Sequence, residues 1–282
     1  MRNLLNFSVN IFLRYKKHEV YYLASELTYK IILSVFPFVI FLMTFTGFLN
    51  IDIEKFIYRF DNIIPNQILE LVGSFIQSNI SVKHVGLMSW SLIITIYSSS
   101  SGFKSVIRGI NRSYEKKETR SIILVRLISI CLVFIFCISI IVAFSILVYG
   151  DYLISFLNEY SIIPYSFELP FKVLGFIFTV FLLIVLVTFI YTVSSCLKIY
   201  LYQAFPGAIF TVIFWIIFSK LYSFYLQKFS NISRLYGSIS NIFVFLIWIN
   251  ILSVILLIGS EINALLSENS KIYRKNMFRL IK

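Results

Sequence analysis

Residues 127–150 read LISICLVFIFCISIIVAFSILVYG, 24 positions without one Asp, Glu, Lys or Arg. About 20 apolar residues, each rising about 1.5 Å in a helix, cross the hydrocarbon core of a bilayer, so this stretch is a transmembrane helix. A membrane-barrel strand would be shorter and would alternate polar with apolar residues. Working outward, five further charge-free runs meet the same test: 31–51, 85–103, 173–197, 199–219 and 235–260. Only Lys198 separates the fourth run from the next. A longer turn there, with the fifth helix starting near Pro206, moves that span to about 203–222, because proline suits a helix's first turn. The predicted fold class is therefore all-α: a polytopic integral membrane protein of six transmembrane helices.

Composition agrees. The chain of 282 residues is 59% hydrophobic and only 13% charged, with a mean hydropathy of +0.88. Soluble domains carry about a quarter charged residues. Ten Gly, five Pro and three Cys exclude collagen-like, disordered and disulfide-rich classes.

The net charge of +12 would suggest nucleic acid in a soluble protein. Its placement says otherwise. Residues 1–30, 104–126, Lys198 and 261–282 hold 18 Lys/Arg, whereas 52–84, 151–172 and 220–234 hold 7 and are neutral overall. This asymmetry puts both termini in the cytoplasm. Residues 1–19 are expected as an interfacial helix, with Leu4, Leu5, Ile11, Phe12 and Tyr15 on one face, and not as a cleaved signal. Residues 52–84 form an external amphipathic segment, and 261–282 a basic cytoplasmic tail. The whole chain is one membrane domain.

Signatures of catalysis are missing. His18 and His84 fall on opposite faces under this topology, and Cys131, Cys137 and Cys196 lie within spans, so no metal-ligand set, cofactor site or catalytic group is expected. The Gly102-Phe103-Lys104-Ser105 sequence lacks the Gly-Lys step of a phosphate loop. What remains is polar groups near the spans. Glu26 and Lys30 are four apart, hence on one helix face. Asn241 and Asn250 fall in the sixth span, Gln203 opens the fifth, and Glu261 and Asn263 follow the sixth. Two readings stay open. The group could line a cytoplasm-facing polar cavity of Glu26, Lys30, Asn241, Glu261 and Asn263, or it could be interhelical contacts in which Lys30 pairs with Glu26 or Glu261. Lys104, Arg108 and Arg112 recur every four residues and form a basic stripe that could contact anionic lipid headgroups. The same stripe would serve membrane orientation alone. No aromatic residues interleave it as a stacking platform, so nucleic acid is not an expected partner.

Three motifs in order give a resemblance. They are residues 27–37 (LTYKIILSVFP), the region 97–120 with Ser101-Gly102, Arg108-Gly109-Ile110-Asn111-Arg112 and Glu118-Thr119-Arg120, and the stretch from Phe205-Pro206-Gly207-Ala208 to Gly259-Ser260-Glu261-Ile262-Asn263-Ala264, with Trp215, Tyr225, Tyr236-Gly237-Ser238 and Trp248 between. Together they resemble the YihY/virulence factor BrkB family from about residue 20 to 266. The resemblance implies a six-helix bacterial inner-membrane protein and little chemistry. An old ribonuclease BN label on family members is regarded as a misassignment. Lys30 departs from the family, where an aromatic or uncharged residue is usual, and it would neutralise a cavity built on Glu26. The leading expectation is transport or translocation of a lipid, other amphiphile or ion. A non-transporting scaffold for envelope integrity is the second, and an enzyme the third.

Overall fold

The computed structural model describes residues 2–49, 85–159, 168–228 and 239–280. The expected external segment 52–84 lies outside these, as do His84 and Tyr236-Gly237. Seven helices occupy the described residues: α1 Arg2–Lys17, α2 Val20–Leu49, α3 Val85–Ser113, α4 Ile122–Glu159, α5 Glu168–Ser194, α6 Leu201–Lys228 and α7 Ile239–Leu280. No strand occurs among them. Helices α2 to α7 pack in chain order, each against the next, and α7 closes the ring on α2. Helix α3 also reaches α5 and α7, and α1 lies against α7.

Five helical segments are long and apolar enough to cross a membrane: Val20–Phe41, Ile122–Ala143, Val173–Ser194, Leu201–Leu226 and Ile242–Glu268. The expected second span falls on α3, which is long but more polar. Its hydroxyls are largely satisfied within the helix: Ser91 donates to the Met88 carbonyl at 3.0 Å, Thr95 to Ser91 at 2.7 Å and Ser100 to Tyr97 at 2.8 Å. Small side chains also let neighbours approach, and Gly102 and Ser100 are buried.

Helix ends differ from the charge-free runs. Helix α6 begins at Leu201 and not near Pro206, which lies inside it. The reason is a capping contact: Gln203 accepts from the Tyr200 amide through Oε1 at 3.2 Å, half of a capping box. Helix α4 continues through Asp151 to Glu159, and α7 runs unbroken into the expected tail. Helix α3 ends in a Schellman turn, with Lys116 N–H on the Asn111 carbonyl and Glu115 N–H on that of Arg112, both at 2.9 Å. Glu115 takes the left-handed position at φ 53°, where glycine is usual.

The core runs along α3 to α7, with Ile107, Ile110, Leu132, Val187, Tyr191, Val212 and Leu257 almost wholly buried. Tyr191 carries a hydroxyl into this interior, and it meets Thr211 Oγ1 at 2.7 Å and the Leu256 carbonyl at 2.6 Å. Further bonds knit α6 to α7: Trp215 Nε1 to the Leu252 carbonyl, Tyr222 to that of Val244, and Trp248 Nε1 to Ser219. At the closest approach Gly207 meets Gly259. A Cβ on Gly207 would stand 2.1 Å from the Gly259 carbonyl, and one on Gly259 2.2 Å from Thr211 Oγ1.

Gly207→Ala must therefore push α6 and α7 apart, at a cost of about 1–3 kcal/mol. Gly175→Ala, with no atom within 4 Å of its new methyl, should leave the protein as stable or slightly more so. Thermal unfolding midpoints in detergent check both.

Candidate functional site

The ion pairs among the described residues gather at one end of the bundle, where the ends of α1, α3 and α5 meet the start of α6. Three fastenings hold this end. Arg120 donates to the Val193 and Ser194 carbonyls at 3.0 and 2.8 Å, covering the last turn of α5. Asn111 accepts from the Cys196 amide at 2.8 Å and donates to Glu118. Glu118 also receives Arg120 through Nε and a terminal nitrogen, each at 2.8 Å. The guanidinium holds the Glu118 carboxyl below its ordinary value.

The third fastening is ionic. Arg14 Nε lies 2.9 Å from Glu261, whose side chain is 1% exposed. His18 Nδ1 stands 2.7 Å from the other Glu261 oxygen, and its Nε2 faces Glu115 at 3.3 Å. Arg14 also reaches Glu268 at 2.9 Å and the Ser113 carbonyl at 2.6 Å, and Lys17 pairs with Glu115. A ring with a carboxylate at each nitrogen can donate to both only as imidazolium. Lys17 and His18 together hold the Glu115 carboxyl below its usual range. This assembly ties α1 to α7 and to the α3–α4 turn.

Beside it opens a groove of about 550 Å³. Its polar lining is Lys104, Arg108, Arg112, Lys116, Lys117 and Arg120, with His18, Asn111, Glu19 and Glu118. Leu23, Ile107, Ile122 and Val125 supply an apolar lining. Ile122 and Ile123 at its edge are exposed. The predicted stripe thus faces one concave surface. Partial burial, with Arg126 and Lys30 nearby, pushes the Lys104 amine down. Exposed Tyr21, Tyr22, Tyr97, Tyr200 and Tyr202 stand toward this end on α2, α3 and α6.

The expected cavity residues separate. Glu26 meets Lys30 at 2.6 Å, Ser105 at 3.1 Å and Arg108 with both oxygens at 3.0 Å, at the groove's edge. Glu261 keeps its own partners, and among the described residues the two carboxylates share none. Asn263 accepts from the Gly207 amide at 2.7 Å and donates to the Ala204 carbonyl at 2.9 Å, which clamps the α6 backbone beside Pro206. Asn250 reaches Ser25 and Thr28. Asn241 lies on α7, with its side chain outside the described set. The reading from sequence missed Arg14, His18, Glu115 and Asn111. The one available signal was the four-residue spacing of Arg14 and His18 on α1. No three His, Cys, Asp or Glu side chains among the described residues could share a metal ion.

The virulence factor BrkB family profile matches residues 11–278, and the chain belongs to this family. A protein named ribonuclease-like, YfkH of Bacillus subtilis, is 31% identical over 97% of this chain and 100% of its own length. The UPF0761 membrane protein NTHI0384 of Haemophilus influenzae is 23% identical over 95% of this chain and 97% of its own. A UPF0761 membrane protein of Mannheimia succiniciproducens is 24% identical over 90% and 87%. No solved structure matches.

Two outcomes test the geometry. Glu261→Gln leaves Arg14 and His18 facing a neutral amide, and breaking such a buried pair costs about 3–5 kcal/mol. Trypsin should then cut after Arg14, Lys16 and Lys17 sooner than in wild type, while Glu19→Gln should not change the rate. The second concerns pH. Glu115 and Glu118 are lowered from 4.5, so their contribution is complete above that pH and is lost as pH falls through the lowered values. Amide exchange across residues 115–121 should accelerate only below pH 4.5.

Proposed function

We propose that this protein takes up an anionic amphiphile at the cytoplasmic surface of the bacterial inner membrane and passes it into or across the bilayer. In this reading the chain crosses six times, with α3 as the sixth membrane helix and both termini inside. The one-sided placement of 18 Lys/Arg supports that orientation. The carrying observation is the groove, where a basic wall from Lys104 to Arg120 stands against Leu23, Ile107, Ile122 and Val125. A headgroup needs the first and an acyl chain the second. The tyrosines at this end fit an interfacial aromatic belt, which would put the groove at headgroup depth. Lys104, Arg108 and Arg112 are the headgroup contacts, and Glu26 is the internal anion that Arg108 leaves when a headgroup arrives. Glu261 and Asn263 hold helices in place.

A scaffold without transport is the second reading. The observation favouring it is that the residues of the third motif, from Gly207 to Asn263, are spent on joining α6 to α7. An activity of the kind suggested by the YfkH name has no set of three carboxylate, histidine or thiol side chains that could hold a metal ion to support it among the described residues.

Purified protein in vesicles should move fluorescent phosphatidylglycerol between leaflets. Lys104→Ala and Arg108→Ala should each weaken uptake about fivefold, since a charge at such a surface is worth about 1 kcal/mol. Binding without movement would favour the scaffold, and neither would end the proposal. A reporter joined to the C-terminus should be active only in the cytoplasm.

A further inference from the structure

The groove holds more positive charge than its own carboxylates can meet, and the surplus bears on what enters it. Arg108 is engaged by Glu26. Arg120 is fixed by Glu118 and two carbonyls. Arg112 lies 3.5 Å from Glu19. Lys104, Lys116 and Lys117 remain, and no carboxylate pairs with them among the described residues. Each guanidinium therefore has a carboxylate to leave before it can meet a ligand, and the cations without one are all lysines. An ammonium is a compact point charge on a flexible stem with rotatable donors, so several can converge on one small anion without the planar register that a guanidinium needs.

A phosphodiester headgroup brings one negative charge to three unmatched amines. A phosphomonoester brings nearly two and presents three terminal oxygens. The apolar side of the groove then settles the source. Leu23, Ile107, Ile122 and Val125 would gain nothing from a free phosphate ester, whereas they can pack against the first methylenes of a lipid entering past exposed Ile122 and Ile123.

We propose that the groove selects a lipid whose headgroup ends in a phosphomonoester, held by the adjacent Lys116 and Lys117, over the phosphodiester lipids that surround it. This rests on the anionic-amphiphile reading above and narrows it to one headgroup chemistry.

The test uses the purified full-length protein in mixed micelles carrying dioleoyl phosphatidate, dioleoyl phosphatidylglycerol or dioleoyl phosphatidylcholine at equal mole fraction. Bound lipid is counted by native mass spectrometry. Near neutral pH phosphatidate should bind about fivefold more tightly than phosphatidylglycerol, one extra charge being worth about that factor. The gap should shrink to under about twofold at about one unit below the monoester's second pKa of about 6. Phosphatidylglycerol at each pH controls for any protein group that titrates there. The double variant Lys116→Gln/Lys117→Gln alters two exposed loop residues and should unfold at the wild-type temperature yet lose most of the preference. Lys104→Gln, nearer the other end of the groove, should weaken phosphatidate and phosphatidylglycerol alike and keep the preference. Equal binding of phosphatidate and phosphatidylglycerol, both above phosphatidylcholine, would overturn the monoester assignment and leave the anionic reading standing. Equal binding of all three would remove both. Displacement of phosphatidate by an equal concentration of glycerol 3-phosphate would overturn the lipid source.

Discussion

A carboxylate buried at the end of a packed helical bundle needs partners for both its oxygens, and Glu261 is such a group. Its side chain is 1% exposed, and its two oxygens are taken by Arg14 and His18. Arg14 lies on the first helix and His18 in the turn just after it, more than two hundred residues away in the chain. The constraint fixes where the end of α1 lies, since each side chain takes one of the two oxygens. It also fixes the turn between α3 and α4, because His18 presents its second nitrogen to Glu115 and Arg14 reaches the Ser113 carbonyl. The chain is strained to make this fit. Glu19 and Glu115, the residues that end the two helices, both sit in the left-handed region at φ 56° and 53°. That region costs a non-glycine residue roughly 1–2 kcal/mol. The ion pairs of Glu115 with Lys17 and His18 offset part of that cost.

The far side of the ring obeys a second constraint. In a bilayer no water reaches a helix backbone, so a proline inside a span needs other groups to complete its surroundings. Asn263 does this for α6, with one amide satisfying both the Gly207 N–H and the Ala204 carbonyl near Pro206. It can reach them because Gly207 and Gly259 leave no side chain between the helices. The glycines and the asparagine are thus one device. Their appearance together in the third sequence motif has a packing explanation that asks for no ligand.

How much of this was legible in the sequence follows from what each signal measures. A charge-free run marks hydrocarbon, and it located the cores of α2 and α4 to α7. It does not mark where helical hydrogen bonds stop, so α4 and α7 extend through charged residues and α6 begins early on the Gln203 cap. The four-residue spacings were read correctly as shared faces. Lys30 does pair with Glu26, and Lys104, Arg108 and Arg112 do line one surface. Contacts between distant elements left no such trace. Nothing local in Glu261 distinguishes a residue lining a cavity from one neutralised by Arg14, and the choice depends on where α1 docks. Helix α3 shows the converse problem. Its serines lower the hydropathy that a span should have, yet their hydroxyls bond back to their own helix or are covered by four neighbours.

The same logic separates two meanings of the positive charge. Orientation in a membrane needs only that Lys and Arg lie on one side, and any arrangement on that side will serve. Convergence is an additional fact. Six cations from α3 and the following turn line a single groove, three matched by carboxylates and three not, while His18 and Glu19 close one of its walls. Those two residues belong to the junction between α1 and α2, which Arg14 and Glu261 help to hold in place. Loss of the buried ion pair therefore loosens an edge of the groove without touching a single lysine. Anchoring of the first helix and shape of the basic groove are one property of the fold, so whatever the groove admits is coupled energetically to the docking of α1.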